Sequence, residues 1–206
     1  MTNLSPTLHS TIHTSHFWQG QLPVAFVFSV PGAHEKSACR PVAGATGENL
    51  SFALEHLHSA LPAVFSSMDR YSYRITNAYS KPIAKSLGHA SSQASDLQIQ
   101  APENIARVLR DINGCNFVIL CGLKAQLLAE SIRQPGRTVV CSWHTSNQAL
   151  SNKFGSVEVS RLPEPHARRQ LRARLWAQEL LNSLCPSALP NTALQGTLRD
   201  KAAQRP

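Results

Sequence analysis

"VFSVPGAHEKSACRPVAGATGENL", residues 27–50, decides how this chain is read. It closes an apolar run, "PVAFVFSV" (23–30), turns at Pro31-Gly32 into a polar loop, and reaches a second small-residue turn at Gly44 to Gly47. A continuous run with β-branched and aromatic members is the pattern of a strand buried on both faces. The loop therefore leaves the carboxyl end of a central strand. Its glycines, lacking Cβ, let backbone approach a ligand closely, although a plain strand-to-helix connection would look much the same. The polar candidates here are Ser29, His34, Glu35, Arg40 and Glu48, and they do not compose an ordinary nucleophile with its base.

Outward from this stretch, strand and helix patterns alternate. "GENLSFALEHLHSALPAVF" puts Leu50, Leu54, Leu57 and Leu61 on one helical face with Pro62 as a stop. "YSYRITNAYS" (71–80) reads as a second strand, and residues 81–101, rich in Ser, Ala, Gln and Lys, as a surface loop. "APENIARVLRDING" is a helix opened by Pro102 and closed by Gly114. "CNFVILCG" (115–122) and "RTVVCSWH" (137–144) are strands three and four, separated by the helix "LKAQLLAESIR". The last helix, "PEPHARRQLRARLWAQELLNSL", carries Arg168, Arg169, Arg172 and Arg174 in its first half. Residues 1–22 read as an N-terminal arm and residues 185–206 as a flexible tail around one domain, 23–184. The expected fold class is α/β: a single-domain three-layer α/β/α arrangement around a mostly parallel, four-stranded sheet. In such sheets ligands bind beyond the carboxyl ends of the strands, where the loop after Val30, the region of Asn77 and His144 would converge.

Length and composition agree with this. The 206 residues suffice for one well-buried domain. A net charge of +8 favours a polyanionic partner, DNA or RNA, over a merely basic surface. Five dispersed cysteines without a C-x-x-C pair argue for reduced thiols and against a metal or iron-sulfur site. Without a membrane-length apolar run or a signal-peptide pattern, a cytoplasmic location is expected, with no membrane association and no cofactor.

The chemistry concentrates in two further stretches. Asn77 interrupts a strand-like segment where Asn is disfavoured; its amide suits the edge of a nucleobase, or satisfies local backbone at a strand end. In "SWHTSNQALSNKF", His144 ends a strand and is followed by Ser146, Asn147 and Lys153, groups suited to phosphate. The histidine either stabilises negative charge on a bound group or caps the strand.

With these stretches in order, residues 23–184 resemble the uracil-DNA glycosylase superfamily. "SVPGAHEKSACRPVAGATGENL" is similar to the first motif of its family four and family five enzymes, where a Pro-Gly turn precedes "GRPF.G". "YRITNAYSKP" resembles the base-recognition segment, and "SWHTSNQALSNK" resembles the "YHPSQQN" motif with its histidine and DNA-penetrating loop. "CNFVILCGLKAQLL" resembles the strand and helix between them. The resemblance implies a monofunctional DNA glycosylase acting as a monomer on flipped-out bases. It places base reading on Asn77 with Phe28 or Phe52 stacking, and leaving-group stabilisation on His144. Phosphate contacts fall to Ser146, Asn147, Lys153, Arg168 and Arg172, and the wedge that fills the vacated stack to Gln148 or Leu150.

The chain departs from the family where water is activated. The acidic position of family four is Ser29 here, the aspartate position of family one is Val30, and that of family five is Ala45. Glu35, His34 and Ser29 remain as catalytic candidates beside His144, Glu35 first. The family's iron-sulfur cysteines are missing, so no cluster is expected. Gly32 stands where family one has a tyrosine that blocks five-substituted pyrimidines, which implies room for a modified base. Glucosylated hydroxymethylcytosine, removed by phage-restricting members of the superfamily in antiviral defence, is the precedent. A catalytically inactive DNA- or nucleotide-binding member is the alternative.

Overall fold

The computed structural model describes residues 13–184. The expected tail and most of the expected arm lie outside the described residues.

Five strands make one sheet: β1 (Phe17–Trp18), β2 (Val24–Phe28), β3 (Arg74–Asn77), β4 (Phe117–Cys121) and β5 (Thr138–Ser142). Their spatial order is β1-β3-β2-β4-β5, parallel except for β1, which runs antiparallel to β3. The expectation of four strands is thus corrected to five. The extra strand is two residues inside the stretch assigned to the arm, too short to show an alternation. Pairing of Phe17 with Thr76 and Trp18 with Ile75, and the bond from Trp18 Nε1 to the Tyr71 carbonyl at 2.7 Å, hold it on the edge.

The helices are α1 (Ala33–Ala38), α2 (Ala45–Ala60), α3 (Asp96–Gln100), α4 (Pro102–Asp111), α5 (Leu123–Gln126), α6 (Ala129–Ile132), α7 (Asn147–Phe154), α8 (Val157–Arg161) and α9 (Pro165–Leu184). β2 is buried along its whole length, as its unbroken apolar run requires. Its alternate residues feed two cores. Val24, Phe26 and Phe28 pack with Leu50, Leu54, Leu57 of α2 and Trp176, Leu180 of α9; Ala25 and Val27 pack with Val108 of α4 and Leu128 beside α6. Three layers result, helix on sheet on helix.

Leu54 has no exposure. Leu54→Ala should cost about 2–5 kcal/mol, the range for an uncollapsed leucine cavity, read as a lower urea midpoint at unchanged slope.

From β2 the chain moves to β3 on one side and later to β4 and β5 on the other. The order reverses between β2 and β4, which makes the carboxyl ends there the natural crevice for a ligand.

Candidate functional site

A cavity of about 160 Å³ lies at these strand ends, lined by Phe28, Val30, Gly32, Glu35, Val42, Thr46, Asn77 and His144. The three stretches singled out in the sequence therefore meet.

Asn77 is the last residue of β3 and 3% exposed. Its main chain is fully occupied: the N–H donates to the His16 carbonyl at 3.1 Å, and its carbonyl accepts from Nη2 of Arg107 at 2.8 Å. Arg107 is held in turn by Asp111. The side chain is different, since Oδ1 is buried without a hydrogen-bond partner among the described residues. A buried polar atom left unpaired costs about 1–3 kcal/mol. Here that atom belongs to a residue lining the cavity.

His144 follows β5. Its Nδ1 accepts from the Ser146 N–H at 3.0 Å, so the ring proton of the neutral form is on Nε2. Burial pushes its pKa down to about 4, against a smaller raising effect from the Glu35 carboxylate. The imidazole is thus neutral at physiological pH and presents one N–H donor. Phe28 meets it edge-on at 5.5 Å between ring centroids. Gly122, after β4, leaves the room: its φ is +94°, and a Cβ there would stand 3.0 Å from that of His144.

The histidine's lowered pKa ties stability to acidity. Between pH 6.5 and about 4 the unfolded chain binds a proton that the folded chain does not, so stability falls as pH drops through that window. The loss should approach roughly 3 kcal/mol at the acid end, and His144→Gln should flatten that slope in urea titrations at pH 7 and 4.5.

Glu35 lines the cavity as a loop clamp. One carboxylate oxygen accepts from the Gly32 N–H at 2.9 Å and the other from the Ala43 N–H at 3.1 Å. It ties together the two ends of the segment 32–43, which sequence reasoning could not foresee from an acidic residue in a polar loop.

Three candidates expected at the site lie elsewhere. Ser29 is absent from the lining because strand alternation turns it away from Phe28 and Val30; its carbonyl accepts from the Tyr79 N–H. His34 is exposed on α1, with its ring over Gly44. Phe52 is on the far side of α2, edge-on to His166 at 5.2 Å, in a separate groove with Leu171 and Arg174.

The residues expected to contact DNA also separate. Ser146 caps α7 by accepting from the Ala149 N–H, and Asn147 Oδ1 accepts from Asn49. Gln148 is exposed in the first turn. Leu150 is 1% exposed and packs in the core, so it is not a wedge: helix α7 turns it inward. Lys153, a helix length away, sits 5.0 Å over the Trp143 ring and 3.6 Å from Glu179. Arg168 reaches the Pro163 carbonyl, and Nε of the half-buried Arg172 has no partner among the described residues.

Sequence reasoning passed over Val42 and Thr46 in the lining. Val42 has a φ of +46°, rare for a β-branched residue. Among the described residues no three His, Cys, Asp or Glu side chains gather as a metal would require, and no helix there is long and apolar enough to cross a membrane. The chain is matched by no family model and by no curated protein.

Proposed function

We propose that this chain is a DNA glycosylase, related to the uracil-DNA glycosylases, that takes a flipped-out pyrimidine into the cavity at the strand ends and cleaves its N-glycosidic bond. The observation that carries this reading is the buried, unpartnered Oδ1 of Asn77 in one small cavity with the neutral imidazole of His144. An amide with a free oxygen accepts from a base N–H or amino group and can also donate from its nitrogen. A pyrimidine satisfies it.

In this reading, flipping costs a few kcal/mol of stacking and pairing, least for a damaged or mispaired base. The base enters against Phe28, and Asn77 reads its edge. The C–N bond then breaks with positive charge developing on the sugar and negative charge on the departing base. His144 Nε2–H donates to that anion. A neutral donor suits the step, since it stabilises the charge through a hydrogen bond and keeps its own proton, the ring taking up a second proton only below pH about 4. Glu35 stands in the same wall; water adds its oxygen to the sugar carbon as the C–N bond breaks, and the proton it gives up goes to the departed base anion. The +8 charge supplies the attraction to a polymer.

Asn77→Asp replaces the reading amide by a carboxylate that repels the leaving anion, and should lower excision by about 10²-fold or more. Single-turnover release of the base measures it.

Gly32 bears on which pyrimidine. Its φ of −94° is open to any residue, so glycine here is a matter of space in the wall. We propose a five-substituted pyrimidine, with glucosylated hydroxymethylcytosine as the bulky extreme and antiviral defence as the setting. DNA containing uracil, thymine mispairs or the glucosylated base, treated with alkali after incubation, tests both levels. Breaks with uracil alone sink the modified-base reading; intact strands on every substrate sink the glycosylase. A second reading, a DNA- or nucleotide-binding protein without turnover, is favoured by the engagement of both Glu35 oxygens with backbone amides.

A further inference from the structure

The segment after His144 is tethered across the fold to the first turns of α2. The Thr145 hydroxyl donates to the Thr46 carbonyl at 3.0 Å, and Thr46 lines the cavity. Asn49 Nδ2 donates twice, to the Thr145 carbonyl and to Asn147 Oδ1, each at 2.8 Å. Its Oδ1 accepts from Nε of Arg169 at 3.3 Å, and Nη2 of Arg169 pairs with Glu48 at 2.6 Å. Asn49 and Thr145 are each 1% exposed.

Asparagine is a poor helix former and expensive to bury unless paired. Asn49 is fully paired, and its partners are the residues one and three places after the histidine and an arginine of α9. A leucine here would extend the apolar face of α2 and leave the Thr145 carbonyl without this donor. The placement makes sense if what matters is where His144 stands.

We infer that Asn49 is a positioning residue for His144, and that Arg169 makes its hold responsive to a nucleic-acid phosphate. The second half rests on the DNA reading above. Arg169 keeps its Nε on Asn49 while its outer nitrogen is neutralised by Glu48, whose side chain is 55% exposed. Such a pair is worth little, about 0–1 kcal/mol, whereas a phosphate takes the guanidinium fork by two charge-assisted bonds. A strand lying along α9 displaces Glu48, fixes Arg169, and thereby fixes Asn49 and the histidine when a base is present. Among the described residues, the charged group that acts on His144 is Glu35.

NMR of the full chain with ¹⁵N-labelled histidine, alongside turnover on the DNA that supports it, tests this. In Asn49→Ala the loosened segment admits water to the ring, and the His144 pKa should climb by a unit or more toward 6.5. The rate constant kcat should fall about 10–100-fold with KM nearly unchanged, the signature of a misplaced group. Should Asn49→Ala fail to fold, Asn147→Ala removes one of the two acceptors of Asn49 Nδ2 from an exposed residue and should shift His144 in the same direction. An unmoved His144 titration in the variant that folds overturns the positioning role. Arg169→Gln should lower kcat and change the His144 resonance in the DNA complex; a loss of salt-sensitive affinity alone overturns the coupling. A shifted His144 in a protein that releases no base from any DNA supports the tether and removes the glycosylase reading.

Discussion

Under the proposed glycosylase reading, His144→Ala is expected to lower base release by about 10²–10³-fold, the effect of removing one donor aimed at developing negative charge, while DNA affinity changes by less than a few-fold. Three features set that size. The ring is half-buried in the wall of the cavity, so its N–H acts in a medium of lower dielectric than water, where a donor counts for more. Its tautomer is fixed by the Ser146 N–H on Nδ1, so the donor requires no rearrangement. And it carries no charge, so it adds little to the attraction for phosphate. A binding protein without turnover would keep its affinity after the substitution and have no rate to lose. The pH dependence gives an independent reading. A histidine with its ordinary pKa would make the rate change through pH 6.5, but one held near 4 leaves the rate flat from about pH 5 upward as far as this group is concerned. Single-turnover rates across pH 5–8 measure this, and an inflection near 6.5 that disappears in His144→Gln would contradict the neutral donor.

What was legible in the sequence follows from how each feature is encoded. β2 announced itself because a strand covered on both faces needs an unbroken apolar run, and Val24–Phe28 has one. Its position in turn located the loop, and the loop located the cavity. Asn77 and His144 were legible as polar residues at the ends of apolar strands, and both line the cavity. Contacts that depend on direction were not legible. Whether Ser29 or Phe28 faces the ligand turns on one step of strand alternation beyond the last regular residue. Leu150 as a wedge presumed a loop, where a Ser146 cap begins a helix that carries the leucine inward. Phe52 is an aromatic residue on the correct helix but on the wrong side of it. The tether through Asn49 joins residues 96 and 98 positions apart, a pairing that only the folded topology makes visible. Strand β1 is two residues held by an indole hydrogen bond and two pairings, which no periodicity can reveal.

The second large effect is expected at Gly47, where Gly47→Ala should abolish the folded loop or cost several kcal/mol, more than a typical point substitution. A Cβ at this position would lie 1.8 Å from the Val42 carbonyl oxygen and 2.8 Å from its carbon. Those are backbone atoms, so no side chain can swing aside to make room. Val42 has little freedom of its own, because it already holds a φ of +46° and is 3% exposed in the core. Such a conformation persists only when the surroundings over-determine it, and here Glu35 fixes the adjacent Ala43 N–H while Tyr71 donates its hydroxyl proton to the Pro41 carbonyl. Relief of the clash must therefore move Val42 or the first turn of α2, and both Val42 and Thr46 line the cavity. Stability and, under the proposed reading, base release should fall together in Gly47→Ala. Gly44→Ser is the matched comparison: the added Cβ meets only the His34 side chain at 3.5 Å or beyond, the backbone is ordinary, and serine supplies the cap that α2 lacks. It should leave the urea midpoint unchanged or raise it. Equal losses in the two variants would mean that general intolerance of the turn, rather than the close approach of Val42 to α2, holds the cavity wall in place.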